Sequence, residues 1–439
     1  MCSFIVTNRT LTEEILHSAN KFSQLRGPDL TNTFYDNDSG ITWIHNLLHI
    51  TGEKTPQPFV EGDFVATFND APSDGYCIID VFKEAEWSRL DGEFAIVFHN
   101  KKEGNIIVVS DTFATKPCWI SISGDEFAIS SYKSSNIALG FTDEETFKTS
   151  PNTSYSINLE KMSIQGDKVY NFNLVQNINS FDRWCELFDI SVKKRIDNTF
   201  EKFFVGLSSG YDSGCIVSSL QKHNAKFTTY SVRAAESLPV LEKRHDMLEE
   251  SRRHLLFMKE AEFNFHKDYI LQSSEPYESA YIMNNKKYIV QNDKGSVGTS
   301  FICSHAQSDG YKIYMSGHGS DEVYSDYGFL GYPIPGFEHC DIAGYFPEDL
   351  NSCFPWKNFN GYRMIDFAYK DESVGGSYGI EVRYPFLDRE LVQEFLNIRA
   401  DLKNKHYKSP LHHYLKNNNY PFLEGPAHKV GFRATANLM

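Results

Sequence analysis

The chain has 439 residues, room for two or three globular domains at about 150 residues each, and its 41% hydrophobic and 23% charged residues describe a folded protein. Against 43 Lys and Arg stand 58 Asp and Glu, a formal charge of -15, which argues against a broad nucleic-acid or anionic-membrane surface because both need basic patches. No apolar run approaches the roughly 18 to 20 residues of a membrane helix, so neither nucleic acid nor membrane is an expected partner and a cytoplasmic location is the default. Nothing in this speaks against a small anionic substrate, for which a few placed cations or backbone N–H groups suffice.

From residue 3 to about 170 the chain alternates short β-like runs with Gly, Asp, Asn and Pro turns. Examples are Phe4 to Thr7, Phe64 to Phe68, Phe94 to Phe98, Ile106 to Val109 and Phe127 to Ile129. Helical spacing appears mainly over 11 to 24, so this part reads as a sheet-rich α+β domain. A polar, Asn-rich stretch near 170 to 182 reads as a linker. Beyond it Trp184, Phe188, Val192 and Ile196 fall four apart, a helix stripe. Strand-like Phe203 to Leu207, a Ser/Gly turn, helical Cys215 to Leu220 and strand-like Phe227 to Val232 then give the α/β signature.

The eight cysteines show no CxxC pair and no metal-ligand spacing, and most read as buried thiols in a reducing compartment. Cys2 differs. Once the initiator Met is removed it carries both a thiol and an α-amine that titrates near 8, a nucleophile with its own base. A packing role for Cys2 is the alternative. Downstream stand RGPD (Arg26 to Asp29), His45, Gln57-Pro58, Asn69, Ser73-Asp74, LDGEFAIVF (Leu90 to Phe98) and Asp111 with Lys116-Pro117. In this order the set resembles the class II glutamine amidotransferase domain of asparagine synthetases. The resemblance implies that Cys2 attacks the amide of glutamine. It also implies that Asn69 and the Asp70 N–H form an oxyanion hole, and that Arg26, Asn69 and Asp74 bind glutamine. Three positions depart from the family pattern: Leu47 stands where the family has an Arg, and Asp70-Ala71 replace a Gly and a Glu in a shortened loop.

The run from Phe203 to Ser213 sets Ser208, Ser209 and Gly210 between an apolar strand and a helix, where small residues let backbone N–H groups close on phosphate at a helix N-terminus. As SxGxDS it resembles the pyrophosphate loop of ATP pyrophosphatases, with Ser209 for the first Gly. A second strand, Tyr311 to Met315, leads into SGHGSDEVYSDYG (Ser316 to Gly328), which resembles SGEGSDEVFGGY of asparagine synthetases. GIEVRYPFLDRELV (Gly379 to Val392) resembles the family's GVEARVPFLD. The resemblance makes Asp212 and Asp321 the Mg²⁺ ligands. It gives Leu207, Val232, Ser316 and Gly317 to adenosine, Ser208 to Gly210 and Ser213 to the phosphates, and Lys429 to pyrophosphate. Read unaided, Leu207 and Val232 are core residues and Lys429 is surface.

The expected architecture is an α+β Ntn-hydrolase-like sandwich over 2–175, followed over 180–439 by an α/β parallel-sheet ATP pyrophosphatase (PP-loop) domain. The implied activity is an amide-forming ligase with ATP and Mg²⁺ as cofactors. A carboxylate, by default aspartate, is activated as acyl-AMP and amidated with ammonia from glutamine. His318 stands where asparagine synthetases carry a Glu, and its imidazole remains able to take a proton from the amine. β-Lactam synthetases and lasso-peptide cyclases resemble this fold too, so amidation or cyclisation of another carboxylate stays open, as does a non-catalytic binding module. The resemblance permits a homodimer.

Overall fold

Five strands form where alternation places them: Ser3–Thr7, Phe64–Asn69, Ala95–Asn100, Asn105–Ser110 and Glu126–Ser130. The computed structural model describes residues 2–69, 78–84, 86–197, 199–233, 236–283, 286–289 and 293–428. The chain forms two units. One is Met1–Asn171 with Leu271–Tyr277 and Ala368–Glu381; the other is Phe172–Ile270 with Glu278–Phe367 and Val382–Met439. The first unit thus draws two segments from the stretch assigned by sequence to the second domain.

In the first unit two six-stranded sheets are antiparallel throughout. One runs Thr146–Lys148, Trp119–Ser123, Glu126–Ser130, Ser3–Thr7, Ile41–Leu47, Leu30–Asp36. The other runs Ser163–Lys168, Thr153–Asn158, Asn105–Ser110, Ala95–Asn100, Phe64–Asn69, Phe59–Glu61. Phe4, Val6 and Trp43 of the first meet Val65, Val97 and Val108 of the second in one buried cluster, so the sheets pack face to face. Their alternate residues point outward: Ile5, Ile44 and Ala128 pack with Ala19 of the helix Glu13–Ala19, and Ile96 and Phe98 pack with Val81 of the helix Ile78–Glu84. The layers are helix, sheet, sheet, helix, the expected Ntn-hydrolase-like sandwich. Ser3–Thr7 lies inside its sheet, which places Cys2 at the end of a strand paired on both sides.

In the second unit the sheet order is Arg253–Leu256, Phe227–Val232, Phe203–Gly206, Ile313–Met315, Glu381–Arg383, and the first four strands are parallel. The stripe Trp184, Phe188, Val192 is fully buried on the helix Asp182–Lys194, as its spacing requires. Because neighbouring parallel strands end at the same sheet edge, the segments after Gly206, Val232 and Met315 leave side by side, the usual place for a ligand. The loop after Met315 makes two close approaches that only glycine allows. A Cβ on Gly317 would lie 2.9 Å from the Asp212 Cβ, and Gly319 has φ +91° with Leu387 at 2.2 Å from a built Cβ. Among the described residues no helix is long and apolar enough to cross a membrane.

Two outcomes follow from the sandwich. Trp43→Ala, emptying a fully buried site, is expected to cost about 3–5 kcal/mol in denaturant unfolding. His45 pairs with Phe4 on the neighbouring strand, fully buried, and burial pushes its imidazole down to about 3. Below its ordinary value near 6.5 the unfolded chain takes up a proton that the folded chain refuses. Stability therefore falls with pH through that window, by up to about 1.4 kcal/mol per unit for this one group. His45→Gln should flatten that part of the stability profile between pH 6.5 and 4; an unchanged slope would assign it to other histidines.

Candidate active site

Cys2 is half-buried ahead of the strand Ser3–Thr7, and its backbone carbonyl accepts from Arg26 Nε at 2.9 Å. The other two guanidinium nitrogens of Arg26 donate to Tyr132 Oη at 3.3 Å and to a Glu372 carboxylate oxygen at 2.6 Å. The second oxygen of Glu372 takes Lys116 Nζ at 3.0 Å, and Lys116 in turn stands 3.7 Å from Glu93. Arg26, Lys116 and Glu372 have no exposed side-chain surface. Burial alone would weaken the Arg26 cation, but Tyr132 and Glu372 outweigh it and hold the group charged. Each of the three Arg26 nitrogens thus donates to a protein acceptor, and Nε holds the backbone of Cys2. The carboxylate that makes this possible comes from Ala368–Glu381, one of the two segments sequence had placed in the other domain.

Asn69 ends its strand fully buried, with Nδ2 3.0 Å from Ser131 Oγ, and the same hydroxyl accepts from the N–H of Phe4. One hydroxyl thus ties the Asn69 amide to the strand that begins beside Cys2. Asp111 accepts from the N–H groups of Phe94, Phe113 and Thr115, a turn-building role. Leu47 is buried at the end of Ile41–Leu47. Asp70, Ala71, Asp74 and Lys429 lie outside the described residues.

The second cluster lies at the sheet edge of the other unit. Leu207 and Val232 follow or end adjacent strands and are 2% and 4% exposed, which fits their unaided reading as core residues. Ser208 closes the phosphate-loop turn: its N–H donates to Ser213 Oγ at 3.0 Å and its Oγ accepts from Gly210 N at 3.1 Å. Ser209 donates through both N–H and hydroxyl to Glu236, each at 2.6 Å, so an anionic oxygen already sits on this loop. Behind the loop, Arg244 is fully buried and its Nη1 donates to the carbonyls of Ser208 and Gly210 at 2.5 and 2.9 Å. Gly214 makes room for it, since a Cβ there would lie 2.5 Å from Arg244 Nη2. Sequence reasoning passed over Arg244, which stands in no motif.

Asp212 opens the helix Tyr211–Lys222 and Asp321 lies in the first turn of Ser320–Tyr324. Both carboxylates converge on one ammonium, Lys408 Nζ, at 2.6 and 2.8 Å, and Ser320 Oγ lies 3.0 Å from the same nitrogen. Lys408 is the second residue that sequence reasoning missed. Burial would discharge it, but the two carboxylates prevail and keep it protonated. An all-oxygen pair that already centres one cation fits a hard ion such as Mg²⁺, which keeps several waters and needs few protein ligands. Among the described residues no group of three His, Cys, Asp or Glu is arranged to hold a metal by itself.

Ser316 is buried, its Oγ accepting from the His318 N–H at 3.2 Å. His318 Nε2 lies 2.9 Å from the Met364 carbonyl, and Nδ1 stands 3.5 Å from Glu322 Oε1. Glu322 is fixed by the Tyr327 hydroxyl and, at 3.0 Å, by the Gly319 N–H. The ring is thus held by groups from two sides, with only 6% of its side chain exposed.

The family model described as Asparagine synthase matches residues 183–347. A putative asparagine synthetase [glutamine-hydrolyzing] 1 of Methanocaldococcus jannaschii is 24% identical over 354 residues, covering 75% of this chain and 60% of that protein. A probable asparagine synthetase [glutamine-hydrolyzing] of Schizosaccharomyces pombe is 23% identical over 417 residues, 86% of this chain and 72% of its own length. Among solved structures, a glutamine phosphoribosylpyrophosphate amidotransferase from B. subtilis, complexed with ADP and GMP, aligns over 90% of this chain and 92% of its own at 10% identity, with a TM-score of 0.32. The family model thus lies across the loops 208–213 and 316–321, and the chain is similar to asparagine synthetases over most of its length.

Proposed function

We propose that the protein is an ATP-dependent amide-forming ligase that takes ammonia from glutamine and joins it to a carboxylate, aspartate by default. The observation that carries this reading is the convergence of Asp212 and Asp321, from loops after two neighbouring parallel strands, on a single cationic point. The match to the Asparagine synthase family model supports it, as does the anion-accepting state of Ser209.

The chain's own residues then divide the work. Ser208, Ser209, Gly210 and Ser213, at the positive end of a twelve-residue helix, bind the terminal phosphates, with Arg244 stiffening the loop from behind. Leu207, Val232, Ser316 and Gly317 border the adenosine. Asp212 and Asp321 would hold Mg²⁺, which supplies neutralisation of the charge that builds up as pyrophosphate leaves. The acceptor carboxylate attacks the α-phosphate, giving acyl-AMP and pyrophosphate, with Lys429 assigned to the latter. Ammonia then displaces AMP. His318 Nε2 donates to the Met364 carbonyl, so Nδ1 takes the proton released by the incoming amine, and the resulting imidazolium faces Glu322.

In the first unit the Cys2 thiol gives its proton to its own α-amine after Met removal and attacks the glutamine amide. Arg26 holds the Cys2 carbonyl throughout, and Asn69 Nδ2 has a second N–H for the oxyanion. Glutamine binding rests on Asn69 and Asp74. A cytoplasmic setting follows from the same reading, and a homodimer is compatible with it.

Two measurements test this. With the full chain, Cys2→Ala should abolish glutamine-dependent amide formation and leave ammonia-dependent turnover within about twofold; surviving glutamine use would remove Cys2 from the mechanism. His318→Ala should lose at least 100-fold in amide product while keeping ATP–pyrophosphate exchange within about tenfold, a range typical of removing a general base. Absence of exchange with every candidate carboxylate, in a folded protein, would overturn the ligase reading.

A further inference from the structure

The ammonium of Lys408 occupies the point at which the two proposed metal ligands meet. It is 1% exposed, lies 2.6 Å from Asp212 and 2.8 Å from Asp321, and is held in turn by Ser320 Oγ. The chain accepts backbone strain to put it there. Lys408 has φ +48°, the left-handed region that a residue with a Cβ rarely adopts, immediately ahead of the helix Ser409–Asn417. Its neighbour Tyr407 donates to the same Asp321 oxygen at 3.2 Å, so two successive residues of this turn are committed to the pair.

We propose that Lys408 is a resident counter-cation for Asp212 and Asp321, a positioning residue that keeps the divalent ion from binding until a nucleotide brings it. This rests on the ligase reading above. With Lys408 in place the three groups carry a net charge of -1, and the bare metal must compete with a fixed ammonium for the same oxygens. A nucleotide changes the balance, because its phosphates add anionic oxygens to the metal's coordination and offer the ammonium new partners within the same loops. The lysine thereby preserves the spacing of the two carboxylates in the absence of metal, and makes the metal–nucleotide complex, rather than the free ion, the species that enters.

The test uses the full chain without nucleotide and Mn²⁺ as the probe, read by electron paramagnetic resonance. Wild-type protein should bind no Mn²⁺ below the millimolar range. Lys408→Met should bind one ion at least tenfold more tightly, Lys408→Met with Asp321→Asn should lose that gain, and Lys408→Arg should behave as wild type. Mn²⁺ binding to wild type as tight as to Lys408→Met overturns the proposal. Should Lys408→Met fail to fold by circular dichroism, wild type alone decides: Mn²⁺ should bind at least tenfold more tightly with a non-hydrolysable ATP analogue than without it, and equal affinity overturns the inference. Failure of the analogue to bind at all overturns the ligase reading instead, and the role of Lys408 is then judged by the metal-only comparison of wild type with Lys408→Met or, if that variant does not fold, with Lys408→Arg, where tight Mn²⁺ binding to wild type counts against it.

Discussion

Two carboxylates brought to one point repel each other, and the loop edge of the parallel sheet is organised around keeping Asp212 and Asp321 together. Each stands in the first turn of its helix, where the helix dipole favours an anion. That does not remove the repulsion between them. The Lys408 ammonium does, and its demands extend outward. The loop bearing Asp321 must approach the helix bearing Asp212 closely enough that Gly317 has no room for a side chain, and the turn that delivers the lysine must adopt a positive φ. A charged lysine so deeply buried persists only because two anions meet it; either carboxylate alone would repay less of its lost hydration.

The same economy recurs in the first unit with the signs reversed. There one carboxylate, Glu372, sits between two cations, Arg26 and Lys116, all three cut off from water. Its consequence is positional: the arginine so anchored fixes the carbonyl of Cys2, which is tied to a central strand on one side and a buried ion network on the other. Asn69, joined to Phe4 through Ser131, completes the frame. Neither network adds much net stability, since desolvation consumes most of the attraction, but each fixes geometry that a hydrophobic substitute would leave loose.

What the sequence made legible follows from the range of the forces involved. Strands such as Phe227–Val232 and the stripe Trp184, Phe188, Val192 declare themselves because burial imposes a period on neighbouring residues. The loops 208–213 and 316–321 were visible because close approach of the backbone to its neighbours, as at Gly317 and Gly319, restricts residue type locally. Lys408, Arg244 and Glu372 were not. Lys408 lies 196 residues from Asp212, and Glu372 lies 346 from Arg26. A lone charged residue carries no periodic mark, and its partner is chosen by the fold. Arg26 shows the same limit: a motif shows that an arginine is wanted, while only the fold shows that Glu372 is one of its partners.

His318 draws these observations together. Where the family pattern SGEGSDE puts a carboxylate at this position, the present chain has an imidazole, so the second loop carries one negative charge fewer. Glu322, held by Tyr327 and the Gly319 N–H, stands 3.5 Å from His318 Nδ1. With Lys408 offsetting one of the two aspartates, the local excess of negative charge at this sheet edge is smaller than two loops rich in Asp and Glu suggest. In the proposed reaction an anionic carboxylate must approach an anionic nucleotide, and there that reduction matters more than the overall -15, which is spread over the whole chain and screened beyond about 10 Å. The imidazole also differs from a carboxylate in its resting hydrogen bonds. It enters the site already donating to a backbone carbonyl, with its free nitrogen oriented by the helix that carries Met364, so orientation is set by the fold before any substrate arrives.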